Sequence, residues 1–178
     1  MFSIINKIES HFNPHGCLNA DRVNFRRYNP ATDEIVSHFS DDDWKNIFTG
    51  VDEERLKLWN QIAIDRILLI AEDPLHNQPF GFMCIIEDKN NFGSVLIHGG
   101  IWERNTHTMM LLFRGLNSII NILLNEKFII ELQCYFNNKK ADRMQKALGF
   151  VEYKHDKRLS YKKLDINKFN ANIINGRL

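Results

Sequence analysis

Apolar residues along this chain recur with two periods, and the switches between them mark the elements. Phe2, Ile5, Ile8 and Phe12 fall at helical spacing and predict a short helix over Ser3 to His11, broken by Asn13-Pro14-His15-Gly16. Val23 and Phe25 alternate with Arg22, Asn24 and Arg26, as on a half-buried strand. Thr32 or Asp33 can cap a helix that runs to Phe39. Ser40-Asp41-Asp42-Asp43 then precedes Trp44, Ile47 and Phe48, an acidic start suited to the positive end of a helix. Asp52 begins another helix, with Leu56, Trp59, Ile62 and Ala63 on one face.

The pattern next turns to strands. Ile67 to Ala71 and Phe80 to Glu87 flank a turn from Asp73-Pro74 to Gln78-Pro79 and read as an antiparallel hairpin. Ser94 to Trp102 follows as a third strand, with Gly99-Gly100 suggesting a bulge or a close approach. A long helix, Thr108 to Asn125, carries Met109, Leu112, Phe113, Leu116, Ile119, Ile120, Leu123 and Leu124 on a broad apolar face. A strand over Phe128 to Phe136, a helix over Lys139 to Leu148 stopped by Gly149, and a hairpin of Val151–Tyr153 with Leu159–Leu164 complete the series. The polar, Asn-rich remainder from about 166 to 178 reads as a loosely held tail, and residues 1–20 as a helical extension on a core of about 22–165. Hairpins leading into a β-α-β crossover predict one α/β (α+β) domain. Its mixed, mostly antiparallel sheet would have about six or seven strands and helices on both faces.

Composition narrows the classes. The 178 residues are 44% apolar and 25% charged, with a formal net charge of +1. That is a globular composition with no global field to attract nucleic acid or an anionic membrane. Three cysteines without a CxxC pair, and seven histidines without HExxH spacing, give neither a disulfide framework nor a metal site. The N-terminus lacks the apolar core of a signal peptide, and Arg114, Asn117 and Asn121 interrupt the longest apolar region. The expectation is a cytoplasmic protein, a monomer or homodimer, that binds neither membrane nor nucleic acid.

Two features carry a family resemblance. Asn138-Lys139-Lys140-Ala141 is followed by Leu148-Gly149-Phe150, and Gly81 to Leu124 forms a strand, turn, strand, loop and long helix. In spacing and order the chain resembles the GNAT (N-acetyltransferase) superfamily over about Arg22 to Asp165. The resemblance implies an acyl-CoA-dependent N-acyltransferase that transfers acetyl or another acyl group to a small-molecule or peptide amine. It implies that Gly100, Ile101 and Trp102 hold the pantetheine. Arg104, Asn105, Thr106, His107 and Thr108 would hold the pyrophosphate at the helix start, and Asn138 and Ala141 would border the cofactor.

The sequence departs from the family at two places. The family's phosphate loop reads Gln/Arg-x-x-Gly-x-Gly/Ala, whereas Glu103 to Met109 contains no glycine. Asn105-Thr106 there reads equally as a helix cap. The tyrosine that many members place four residues before Gly-Phe, to protonate the leaving thiolate, is Gln145 here, which leaves Tyr135 as a substitute. For the general base the candidates are His98, Glu103 and Glu72, of which a histidine is best matched to neutral pH. The competing reading is a catalytically inactive GNAT-fold binding or structural protein, as in some phage or prophage proteins.

Overall fold

The computed structural model describes residues 4–20, 22–48, 50–62, 66–135, 138–157 and 159–174. Phe2, Ala63, Phe136 and Arg158 lie outside these, as do the side chains of Ile5, Ile62, Cys134 and Tyr135.

Eight strands form one sheet in the order β1-β2-β3-β4-β5-β6-β8-β7, one more than the pattern predicted at most. They are β1 (Cys17–Ala20), β2 (Val23–Arg27), β3 (Arg66–Asp73), β4 (Gln78–Glu87), β5 (Ser94–Ile101), β6 (Ile129–Tyr135), β7 (Phe150–His155) and β8 (Leu159–Leu164). The unforeseen strand is β1, four residues long, which pairs with β2 from Cys17↔Arg26 to Ala20↔Val23. Four residues give too little alternation to register as a pattern. Every pair is antiparallel except β5 with β6, which are joined by the long helix α4 (Thr106–Asn125).

Helices cover both faces. On one side α4 lays Leu111, Leu112, Ile119, Ile120 and Leu123 on the sheet in a core shared with Phe25, Leu69, Met83 and Val95. A Cβ at Gly115 would come 2.8 Å from the Phe25 ring, so the missing side chain sets how closely α4 approaches β2. By length and mean hydropathy α4 passes as a membrane span, but its apolar stripe is consumed by this core. Also on this side are α1 (Ile4–Glu9), through Ile8, α5 (Lys139–Ala147) and α6 (Ile166–Ile174), through Phe169. On the other side α2 (Asp41–Ile47) and α3 (Glu53–Ile62) bury Trp44 and Leu56 against Leu68, Ile70, Phe82 and Cys84. The acidic start of α2 is a cap, as expected: Ser40 Oγ accepts from Asp43 N at 3.2 Å.

Two predicted elements differ. The helix expected from Thr32 to Phe39 shrinks to a single 3-10 turn, Val36–His38. Asp33 is drawn instead into a forked pair with Arg26, at 2.6 and 2.8 Å, while Arg26 Nε also holds Glu72 at 2.5 Å. The tail expected to be loosely held contains α6, whose Phe169 is 0% exposed. Gly149 (φ +91) makes the turn that brings it there, and its carbonyl accepts from Asp165 N at 3.0 Å. A Cβ at Gly149 would lie 2.8 Å from Phe169 N, so glycine serves both the left-handed turn and the packing.

Candidate functional site

The parallel pairing of β5 and β6 runs only from Ser94↔Ile129 to Ile97↔Leu132. Past that row β5 stays on β4, from His98↔Cys84 to Ile101↔Gly81, and β6 stays on β8, from Gln133↔Tyr161 to Tyr135↔Leu159.

 The two strands therefore part into a fork open between residues 98–101 and 133–135. Trp102 N donates to Phe80 O at 3.1 Å, so in the alternating ladder the even-numbered residues of β5 address β4. Gly99 and Ile101 thus turn their N–H and C=O groups toward the fork, where no strand meets them among the described residues. Of the three residues assigned to the pantetheine, Ile101 presents its backbone to the fork, whereas Gly100 and Trp102 address β4. Gly99, which the sequence does not single out for the site, turns its backbone the same way as Ile101.

The loop after β5 feeds α4. Asn105 is its N-cap: Asn105 Oδ1 accepts from Thr108 N at 2.9 Å, and Asn105 N donates to Thr108 Oγ1 at 3.2 Å, a reciprocal capping box. The hydroxyl of Thr108 also bonds Glu103 O. Arg104 reaches Asp43 at 3.2 Å, and Asn105 Nδ2 reaches Glu103 at 3.4 Å. His107 Nε2 lies 2.9 Å from Asp73 Oδ2, which His76 Nδ1 also approaches at 2.8 Å. The bond from His76, opposed by burial and reinforced by the bond from His107, holds the Asp73 carboxyl down at about 2. The loop's cap, Arg104 and His107 are thus engaged within the protein. The N–H groups of Thr106 and His107, the first two of the helix, have no protein partner among the described residues. They lie at the positive end of a 20-residue helix, where an anion is stabilised.

His98, Gly100 and Trp102 share the face covered by α2 and α3. The His98 ring stands 5.2 Å from that of Phe48, and Trp102 stacks on His38 at 4.4 Å. Burial pushes His98 down to about 4, so its imidazole is neutral at physiological pH. Its ring nitrogens have no protein partner among the described residues, and neither is fully sealed from solvent. At Gly100 the approach anticipated from the glycine pair is real, since a Cβ would lie 2.9 Å from Ile47 Cδ1 and 3.0 Å from Phe39 Cζ. The β4–β5 register is continuous there, without a bulge.

The remaining candidates are scattered around this centre. Glu103 is exposed at the mouth of the loop, and Glu72 is committed to Arg26. Asn138 caps α5, accepting from Ala141 N at 3.1 Å, at the end of the segment that follows β6. Tyr135 closes β6, but its side chain lies outside the described residues. Gln145 is 7% exposed, and its Oε1 accepts from the buried Lys162 Nζ at 2.8 Å. Among the described residues no group of three or more His, Cys, Asp or Glu side chains is arranged to hold a metal ion.

No protein-family model and no curated protein matches the chain. Solved structures do. An uncharacterized protein from Bacillus halodurans has a TM-score of 0.70 at 16% identity, over 87% of this chain and 90% of that one. A nucleotide-linked sugar GNAT, FdhC in its apo form, has a TM-score of 0.66 at 13% identity, over 89% and 95%. The ribosomal L7/L12 alpha-N-protein acetyltransferase RimL has a TM-score of 0.65 at 10% identity, over 83% and 92%. At such identities the likeness is one of fold, and the fold is GNAT-like.

Proposed function

We propose that this GNAT-like chain is an N-acyltransferase that takes an acyl group from acyl-CoA and passes it to a primary amine of a small molecule or peptide in the cytoplasm. The observation that carries the reading is the fork. An opening in a sheet leaves backbone groups without partners, and such groups are costly unless something pairs with them. The backbone of Gly99 and Ile101 suits the amide-bearing pantetheine arm, which can pair with it as an added strand would. The free N–H groups of Thr106 and His107 suit the diphosphate, so the group fits even though the loop lacks glycine. Neighbours described as acting on a protein α-amino group and on a nucleotide-linked sugar support an acceptor of either kind.

Acyl-CoA, when bound, supplies a thioester whose carbonyl carbon is open to attack. The chain supplies position and polarity. Backbone N–H groups along the open edge of β5 polarise the acyl carbonyl. Neutral His98, on the α2 and α3 side of the sheet, holds the uncharged amine as a hydrogen-bond acceptor. A pKa near 4 makes it a weak proton acceptor, so the amine's proton passes on to water. Glu103 and Tyr135 are kept as further candidates for proton transfer.

Calorimetry with acetyl-CoA tests the reading. Ligand at a hundred times Kd stabilises the fold by about 2.7 kcal/mol, which is readily seen in a melting curve. Thr106→Pro is the diagnostic variant, because proline is well tolerated as the first residue of a helix and removes only the N–H proposed to meet phosphate. Asn105, at φ −112 and ψ 172, already has the extended backbone that a following proline requires. Thr106→Pro should weaken acetyl-CoA binding with little loss of stability, and Thr106→Ala should not. An absence of binding to acetyl-CoA and to longer acyl-CoAs would refute the proposal.

A further inference from the structure

The net charge of +1 averages two ends of opposite sign. Residues 139–178 carry eleven lysines and arginines against four aspartates and glutamates, whereas residues 1–138 carry twelve against eighteen. Folding does not disperse the basic part. It supplies α5, β7, β8 and α6, and β8 and β7 close the strand order at one edge of the sheet. An average near zero therefore does not exclude a polyanionic partner at that end.

One face of this end is left to solvent. The apolar cluster beneath α2 and α3 draws on Leu68, Ile70, Phe82 and Cys84 and takes nothing from β6, β8 or β7 among the described residues. In β8 Ser160, Lys162 and Leu164 are buried, and Lys162 bonds Asp142 on α5, so Tyr161 and Lys163 point away from α5. The register sets Tyr161 beside Lys154 of β7, and Lys163 between Glu131 of β6 and Val151 of β7. The pairing then passes from Glu152↔Lys162 to Lys154↔Tyr161, which leaves Tyr153 as the extra residue of a bulge. Tyr153 Oη donates to Glu131 Oε2 at 2.8 Å, which places that ring on the same face, 56% exposed. Tyr161 Oη donates to Asp156 Oδ2 at 3.1 Å, and Lys154 Nζ stands 5.2 Å from the centre of the Tyr161 ring. Each phenol is thus anchored through its hydroxyl. Neither Lys154 nor Lys163, both exposed, has an ion-pair partner among the described residues. The bulge discourages a further strand from adding to β7, so the face rather than the edge is on offer.

We infer that this face of β6, β8 and β7 binds single-stranded nucleic acid, with bases stacked on Tyr153 and Tyr161 and phosphates held by Lys154 and Lys163. Anchored rings set among lysines on an uncovered sheet match a strand whose base faces alternate with its charges. A duplex hides its base faces, and an acidic peptide would use the lysines but leave the tyrosines idle. The basic field of the last 40 residues draws the polyanion to this end, and the acidic remainder of the chain keeps it from the rest of the surface. Binding here is independent of the acyl-CoA reading of the fork.

Fluorescence anisotropy of a labelled single-stranded RNA of about ten nucleotides, with the whole chain, is the test. Binding should weaken as salt is added, and Lys154→Ala combined with Lys163→Ala should lower the slope of log K against log salt by about 1.4, the share of two phosphate contacts. Tyr153→Leu and Tyr161→Leu should each weaken binding about five- to a hundredfold, whereas Tyr153→Phe, which keeps the ring, should retain most of the affinity. Tyr153 is largely exposed, so its replacement should leave the melting curve unchanged and guards against failure of Tyr161→Leu to fold. No binding by the native chain would overturn the inference. Equal competition, charge for charge, by duplex RNA, polyglutamate or phosphatidylserine vesicles would also overturn it, as would tyrosine variants that bind like the native chain.

Discussion

His98 is neutral in the folded protein and free to protonate in the unfolded chain, so acid should weaken the fold through this one side chain. Burial moves its pKa from an ordinary 6.5 to about 4. The unfolded state then binds more protons between those values. The contribution to stability is therefore complete above the unfolded pKa, falls as the pH drops from 6.5, and levels off near 4. At about 1.4 kcal/mol per unit the whole span is worth roughly 3 kcal/mol. Roughly 2 kcal/mol of it is lost between pH 7 and pH 5. For a chain of this size that is a fall in Tm of roughly 4 to 8 °C. Stability at pH 5 and pH 7 differs for reasons besides His98, so the useful quantity is a difference of differences. His98→Phe keeps a ring beside Phe48 and cannot titrate. Melting curves of both proteins at pH 7 and pH 5 should show the native chain losing more stability than the variant by that amount. Equal losses would refute the claim that His98 is held neutral by burial.

Two further substitutions test how the scaffold is built. Phe169→Ala empties a fully buried position on α6 and should cost about 3 to 5 kcal/mol in denaturant unfolding; a cost near zero would mean that α6 is not part of the core. Gly100→Ala places a methyl 2.9 Å from Ile47 Cδ1 and should destabilise by about 1 to 3 kcal/mol. Adding Ile47→Val should recover part of that loss, because the clash is with the flexible end of a side chain. Additive effects of the two changes would argue against this contact.

Much of the scaffold was legible because its elements announce themselves locally. The apolar stripe of α4, the alternation of β8, the Ser40 cap and the Gly149 stop each follow from residues within a few positions of one another. The misses also have local causes. In β1 there are only four residues to alternate. Asp33, a plausible helix cap by type, is taken up by Arg26 from another element. Around α6 the polar asparagines hide one decisive residue, Phe169, which finds its pocket only after Gly149 and Asp165 bring the chain back. In the candidate site the same division appears. Asn105-Thr106 could be read as a cap from sequence; Asn105 is the cap, and its partner is Thr108.

What sequence alone determined is therefore the set of elements, their order and the identity of the groups near the helix start, since propensity, periodicity and capping act over a few residues. What only the tertiary structure decided is which of those groups are free. Arg104 and His107 read as ligands for an anion until Asp43 and Asp73 arrive from distant segments. Gly99 turns its backbone away from any strand only because β5 and β6 stop pairing after Ile97 and Leu132. Lys162, one basic residue among several on an edge hairpin, becomes a buried charge only when α5 closes over it. Hydrogen bonds and ion pairs are satisfied by whichever partner the fold brings near, and that partner is seldom a neighbour in the chain.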